Sequence, residues 1–213
     1  MMRRIMTFVI SLVFLSSAAL SAYAAADIDV LSWMWYRGDL GYYKAVGEVV
    51  NSGSSSARFV MLTCTWYSTD GSVVGTDFTF AMLDIIGPGE KSPFVITLLE
   101  DGVRPDRARL QWEWDATDEI PDRSVRVRDI SAEYDALTDC LEAVGEVENT
   151  GGQAARFVMI VITGYNEDGE VVAADFTFTT LDTVSAGGTS PFKAYICDQA
   201  REIARYRYIV QHD

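Results

Sequence analysis

Short runs of alternating hydrophobic and polar residues, separated by turn residues, dominate the chain from residue 27 onward. In the clearest run, 107–114, every second residue is predicted to point inward: Ala108, Leu110, Trp112 and Trp114. Such runs predict strands at 27–36, 42–51, 57–67, 72–80, 83–86, 93–99 and 107–114, and again at 125–130, 141–149, 155–165, 170–178, 181–184, 192–197 and 205–211. Residues 197–205 have weak helical character and are predicted to form a turn or a short helix.

The strand pattern occurs twice because the sequence is duplicated. Residues 45–94 align with residues 143–192 without a gap, and about 28 of the 50 pairs are identical. This spacing fits two tandem domains, since solenoid units run only to roughly 50 residues. We therefore predict an all-β fold of two tandem immunoglobulin-like β-sandwich domains after a signal peptide, each closing its own core. The predicted boundaries are a first domain at 27–115, a linker at 116–124 and a second domain at 125–213.

Most of the repeated residues are explained by folding alone. Gly47 and its counterpart Gly145 lie inside strands, where a missing side chain allows a bulge or a close backbone approach. Asp70-Gly71 and Asp168-Gly169 predict hairpin turns. The repeated phenylalanines are predicted to pack between facing sheets: Phe59, Phe78, Phe80 and Phe94 in the first copy, and Phe157, Phe176, Phe178 and Phe192 in the second.

The first 24 residues have the features of a secretory signal peptide. Arg3 and Arg4 precede the apolar run 5–20, and Ser21-Ala22-Tyr23-Ala24 supplies a cleavage site. Cleavage two residues later and an uncleaved anchor are the alternatives. We predict a secreted or periplasmic protein with no membrane-spanning segment after residue 26. The net charge of −14 argues against nucleic acid or an anionic membrane as the partner.

Export to an oxidising compartment makes a disulfide plausible among the three cysteines. Cys140 stands just before the predicted strand 141–149 and Cys197 ends the predicted strand 192–197, so the two residues would lie within bridging distance if these strands are antiparallel neighbours. We predict a Cys140–Cys197 disulfide. Cys64 lies inside an apolar run and is expected to be a buried free thiol.

Several repeated strings resemble a known domain family. They are G-E-V-x-N-[ST]-G, then Y-x-x-D-G-x-V-V after an apolar strand, and then G-x-x-S-P-F. Together they resemble the FxLYD domain, a small immunoglobulin-like module of exported or membrane-attached prokaryotic proteins. The chain departs from that pattern at Thr65-Trp66-Tyr67-Ser68 and at Ala186-Gly187-Gly188. The resemblance implies a binding or structural module and supplies no catalytic residues.

Residues able to carry metal or acid–base chemistry are present but scattered. His212, the one histidine, has no nearby cysteine to share a metal, and a solvated terminal side chain is the expectation. Calcium would find oxygen ligands at 168–170 or in the linker, at Asp115, Asp118, Glu119 and Asp122, although plain solvation of these loops is favoured. We therefore expect no catalytic residues, no cofactor and no enzyme activity.

The aromatic residues near the start of the first copy are the candidate binding surface: Trp33, Trp35, Tyr36, Tyr42 and Tyr43. Exposed aromatic residues serve protein interfaces and sugar stacking, whereas packing into the core or between the copies is the alternative. The function predicted is a non-catalytic binding or structural module of the cell envelope, with an unidentified protein or envelope component as partner. A carbohydrate-binding module that uses these aromatics to bind a glycan is the other hypothesis.

Overall fold

The computed structural model describes residues 25–100, 102–135, 137–138 and 140–213, so the predicted signal peptide lies outside the described residues. Within them the first copy forms seven strands: β1 (Ile28–Arg37), β2 (Tyr43–Asn51), β3 (Ser56–Tyr67), β4 (Val73–Phe80), β5 (Ile85–Ile86), β6 (Lys91–Leu98) and β7 (Arg107–Thr117). The second copy forms eight: β8 (Val125–Asp135), β9 (Cys140–Asn149), β10 (Ala155–Arg156), β11 (Met159–Tyr165), β12 (Val171–Phe178), β13 (Thr183–Val184), β14 (Thr189–Ile196) and β15 (Arg205–Gln211).

The all-β class is confirmed, because the described residues form antiparallel strands and no helix. The short helix considered for 197–205 is wrong. Its backbone instead bonds to the neighbouring strands, with the Ala200 N–H donating to the Val172 carbonyl at 2.8 Å and the Ala204 N–H to that of Tyr165 at 2.8 Å. No helix in the described part of the chain is both long and apolar enough to cross a membrane.

Four main sheets lie in layers, which we name A to D in their order of packing. Sheet A contains β4, β3 and β7, with β5 paired to the start of β3, and sheet B contains β1, β2 and β6. Sheet C contains β12, β11 and β15, and sheet D contains β14, β9 and β8. Sheets A and B come from the first copy and sheets C and D from the second, so each copy supplies two facing sheets.

Apolar side chains fill the space between the facing sheets. Leu62 and Trp66 of sheet A belong to the same buried cluster as Phe94 of sheet B. In the second copy, Ile160 of sheet C and Phe192 of sheet D belong to another. Each such side chain contributes roughly 1.5–3 kcal/mol when it leaves water.

The repeated strand glycines are explained by a close approach, as predicted. A Cβ at Gly47 would lie 2.6 Å from the Phe94 ring and 2.6 Å from the Ser32 carbonyl oxygen. The Gly145 position meets the Phe192 ring in the same way, also at 2.6 Å. The strand opposite each glycine carries a register shift, so the bulge and the glycine occur together.

The predicted disulfide is confirmed. Cys140 at the start of β9 is bonded to Cys197 just after β14, with a Cα–Cα distance of 4.0 Å. The bond therefore ties two neighbouring strands of sheet D. Cys64, the third cysteine of the described residues, is free and fully buried.

The outer faces of sheets B and C pack against each other, and we call this contact the joint. Val46 of sheet B is buried with Tyr165 and Val171 of sheet C. The first copy's buried cluster also continues across the joint into Met159 and Val161 of sheet C. The expectation that each copy closes its core alone is therefore wrong for the first copy, because sheet B carries apolar residues on both faces.

Candidate functional site

A buried carboxylate lies at the centre of the joint. Glu48 on β2 is 1% exposed and accepts hydrogen bonds from the Tyr165 hydroxyl at 2.7 Å and from Arg207 Nη2 at 2.7 Å. Lys91 Nζ lies 3.7 Å from the same carboxylate. Burial, reinforced by the bond to Glu48, raises the pKa of Tyr165. Burial alone would lower the pKa of Arg207, but Glu48 and the bond to Tyr165 together outweigh burial, and the net shift of the pKa is upward. The Tyr165 hydroxyl therefore stays protonated and Arg207 stays positively charged, so both can donate to Glu48 across the joint.

Further polar contacts cross the joint around this centre. Lys44 Nζ lies 2.5 Å from an Asp198 carboxylate oxygen, and the Tyr36 hydroxyl donates to the Asp198 carbonyl at 3.2 Å. Burial and the nearby Asp198 raise the pKa of Tyr36 above its ordinary value. On the other side, the Asp84 N–H donates to Gln211 Oε1 at 2.9 Å. The joint is thus a specific interface with polar bonds on both sides of an apolar centre.

A cleft of about 740 Å³ opens beside the joint, between residues of both copies. Its apolar walls contain Phe80, Met82, Phe157, Met159, Phe176 and Phe178. Its size falls within the range of roughly 300–1,000 Å³ typical of ligand pockets. The cleft is therefore large enough for several side chains of a binding partner.

Six of the eight repeated phenylalanines are not in the core, so that prediction is wrong for them. Phe94 and Phe192 are buried, but the other six are 46–65% exposed: Phe59, Phe78, Phe80, Phe157, Phe176 and Phe178. For the four on β4 and β12, the reason is the pleat of the strand, whose alternate residues point to opposite faces. In each strand the two phenylalanine rings pack edge to face, with centroids 6.4 Å apart in the first copy and 5.8 Å apart in the second.

Two of these exposed phenylalanines have a strained backbone. Phe59 has φ of 50° and Phe157 has φ of 48°, in the left-handed region that bulky residues rarely adopt. Such a conformation costs on the order of 1–3 kcal/mol and occurs most often at functional sites. Both residues lie at the irregularity near the start of the long central strand of their copy. A strained and exposed aromatic residue repeated in both copies is not explained by core packing.

His212 is in the wall of the cleft, so the expectation of a solvated side chain is wrong. The imidazole is only 6% exposed, and its Nε2 lies 3.8 Å from Asp122. The tail is fixed because Asp213 and Arg156 exchange backbone hydrogen bonds at 2.9 and 3.0 Å. Within the described residues, Nε2 has no hydrogen-bond partner. A buried polar atom of this kind is a group that a ligand could satisfy.

Acidic groups outnumber basic ones around the cleft. Asp84, Asp122, Asp175 and Asp213 lie in its lining, against Lys44 and Arg123. Asp175 keeps an exposed surface, but the neighbouring groups displace enough water from its carboxyl to raise its pKa, although the Phe176 N–H and Lys44 oppose that shift. The lining therefore favours a partner that is apolar and positively charged.

The aromatic residues singled out from the sequence are half-buried. Trp33, Trp35 and Tyr43 pack against the first-copy core, and Tyr36 is part of the joint. Tyr42 lies in the turn between β1 and β2. Their role in ligand binding stays a prediction, and they do not line the cleft described above. In the described residues, no group of three or more His, Cys, Asp or Glu side chains is placed to hold a metal ion.

The cleft residues were missed because alternation does not say which face of a strand is inside. Phe176 and Phe178 alternate with Asp175 and Thr177, and hydrophobicity alone assigned the phenylalanines inward. The repeated string DFTF gave no signal for this, because its alternation is the same whichever face of the strand is buried. Residues from distant parts of the chain, such as His212, carry no local signal.

Comparisons with known proteins add little. No family model and no curated protein sequence matches the chain. Among solved structures, similarity is found to a red sea bream transglutaminase, with a TM-score of 0.30, 14% identity, and coverage of 87% of this chain and 29% of that one. A β-glucuronidase from glycoside hydrolase family 2 gives a TM-score of 0.28 and 12% identity over 84% of this chain and 22% of that one. The chain thus spans less than a third of either protein, and the scores are too low to carry an argument.

Proposed function

We propose that the protein is a non-catalytic interaction module outside the cytoplasm that binds an apolar, basic polypeptide segment in the cleft beside the joint. The observation that carries this proposal is the group of exposed phenylalanines in the cleft wall, which includes the strained Phe157. Exposing these rings costs hydrophobic free energy, and the φ of Phe157 costs more. A partner that covers the rings would recover the hydrophobic part of that cost.

Charge and ring geometry support this class of partner. The acidic groups around the cleft suit lysine or arginine side chains flanking the apolar ones. The rings of Phe176 and Phe178 are 84° apart, so they present an edge and a face rather than one flat platform. This arrangement suits inserted aliphatic or aromatic side chains better than a stacked sugar ring.

An extracytoplasmic location belongs to the same proposal. The Cys140–Cys197 disulfide and the targeting features of residues 1–24 support it. The resemblance to FxLYD modules, which implies an exported binding domain, is consistent with it and is likewise proposed. The cell-envelope partner would be a protein with an exposed apolar and basic segment.

Selection of ligands from a library of short random peptides tests the proposal. Peptides that bind should combine large apolar residues with lysine or arginine, and Phe176→Ala should lower their affinity about tenfold. Phe78→Ala is the matched control, because it is the equivalent residue of the first copy and does not line the cleft. Equal loss in both variants, or no loss in either, would overturn the proposal. Binding on a glycan array that depends on Trp33 or Trp35 would favour the carbohydrate hypothesis instead.

A further inference from the structure

The two copies are joined head to tail, by different faces of the same repeat. The first copy uses the outer face of its β1-β2-β6 sheet, whereas the second uses the outer face of its β12-β11-β15 sheet. A contact between unlike faces leaves one copy of each face unused. The unused faces are the outer face of sheet A and the outer face of sheet D.

The central polar residues of the joint are present on these unused faces. Glu146 on sheet D is the counterpart of Glu48, at the offset of 98 residues that relates the copies. Tyr67 and Arg109 on sheet A are the counterparts of Tyr165 and Arg207. The strand pairings agree, since Thr65 faces Arg109 just as Thr163 faces Arg207. Sheet D therefore carries the acceptor, and sheet A carries both donors.

The apolar contact at the centre is also retained. Val144 on sheet D and Val73 on sheet A correspond to Val46 and Val171, which are fully buried in the joint. On the unused faces these valines are 45% and 59% exposed. Arg107 lies over the Tyr67 ring at 4.9 Å, as Arg205 lies over Tyr165 at 5.7 Å, so the neighbouring side chains are arranged alike.

The rim of the joint is not retained. On sheet D, the positions equivalent to Met34, Tyr36 and Val95 hold Ser131, Glu133 and Lys193. The positions equivalent to the ion pair Lys44–Asp198 hold two acidic residues, Glu142 on sheet D and Glu100 in the first copy. Lys193 lies 2.9 Å from Glu142 and offsets part of that charge. An association through these faces would bury less apolar area than the joint does, and it would therefore be weaker and reversible.

We propose that the unused faces bind each other between molecules, so that sheet D of one chain docks onto sheet A of a second copy of this chain. Glu146 of one molecule accepts hydrogen bonds from Tyr67 and Arg109 of the next. Glu48 accepts from Tyr165 and Arg207 in the same arrangement within the chain. Because each added molecule again leaves both faces free, the assembly grows head to tail. This proposal does not depend on the peptide-binding cleft.

Charge reversal combined with sedimentation measurements tests the proposal. The average mass of the wild-type protein should rise reversibly with concentration. Glu146→Arg and Arg109→Glu should each lower the association constant about tenfold or more, because each places like charges together. A mixture of the two variants should associate again, as should the double variant, since both restore opposite charges. Arg156→Glu is the control for Arg109→Glu, because it makes the same charge change at an exposed residue outside both faces.

A loss of association can be told from a loss of folding, because every variant keeps Glu48 and Arg207 in the joint within each chain. Unfolding midpoints in dilute solution should therefore match the wild type and exclude misfolding as the cause. A wild-type protein that stays monomeric at all concentrations would overturn the proposal. So would single variants that associate as the wild type does, because another surface would then be responsible.

Discussion

Glu48 and Arg207 are 159 residues apart in sequence, and their side chains meet at 2.7 Å in the interior of the joint. Their counterparts Glu146 and Arg109 are accessible to solvent on opposite ends of the molecule. The same pair of residue types therefore has two environments in one chain. Because the residue types are the same, a difference in stability between variants of the two pairs reports the effect of burial.

Replacing the half-buried Arg207 should destabilise the fold, because it removes a partner of the buried Glu48, whereas replacing its exposed counterpart Arg109 should not. Arg207→Ala leaves the buried Glu48 carboxylate with the Tyr165 hydroxyl and with Lys91 at 3.7 Å, but without its shortest ionic partner, and we expect a loss of about 3 kcal/mol in unfolding free energy. Arg109→Ala should change it by less than about 0.5 kcal/mol. Urea unfolding of both variants in dilute solution measures the difference. Equal losses would mean that Glu48 is solvated in the folded protein.

Cys64 should make the protein less stable in alkaline solution. Burial raises the pKa of its thiol to about 12, so the folded state keeps the thiol neutral while the unfolded state ionises near the ordinary value of 9.0. The unfolded state is then favoured as the pH rises from about 9 towards 12, by up to about 1.4 kcal/mol per pH unit. Below pH 9 the group has no such effect.

Unfolding free energies of the wild type and of Cys64→Ala at several pH values above 8 test this expectation. The wild type should lose stability more steeply with pH, and the two slopes should converge below the ordinary thiol pKa. Tyr36 and Tyr165, whose pKa values are also raised, remain in both proteins and cancel in the comparison. Parallel curves across the whole range would contradict a buried neutral thiol.

The disulfide should stabilise the second copy substantially. It closes a loop of 57 residues, for which loop entropy predicts about 4 kcal/mol at most. Cys140→Ala combined with Cys197→Ala should therefore lower the unfolding free energy by about 2–4 kcal/mol. Thermal unfolding with and without a reductant measures the same effect, and the double variant should no longer respond to the reductant. A titration that found three reactive thiols in the native protein would disprove the bond.

The sequence was sufficient to predict the fold class, most strand positions and the disulfide, because these depend on local patterns. Alternation and turn residues located most strand ends within two residues, and the bulge glycines were explained correctly. The prediction ended β7 three residues early and β8 five residues early, began β14 three residues late, and merged β10 with β11. The disulfide followed once β9 and β14 were taken as antiparallel neighbours. Each of these inferences needs only the period of the strand and its nearest partner.

The joint and the cleft could not be predicted in this way, because they depend on how the layers stack. Val46 and Val144 lie in identical strings, yet Val46 is buried and Val144 is exposed. The difference arises only when sheet B meets sheet C. The same applies to His212, which local sequence placed in solvent and the packing of the C-terminal segment placed in the cleft wall. Long-range packing of this kind leaves little trace in a single sequence.

Phe157 should be dispensable for folding and necessary for binding. Asparagine tolerates a positive φ better than phenylalanine does, so Phe157→Asn relieves strain while removing a side chain that is 65% exposed. We expect the unfolding free energy to stay the same or to rise by up to about 1 kcal/mol, and peptide binding in the cleft to weaken. Phe59→Asn is the matched control, because it relieves the same strain at the equivalent position but does not alter the cleft lining. If Phe157→Asn lowered stability by more than about 1 kcal/mol, the ring would have to be counted as part of the core, and its exposure would no longer support a binding role.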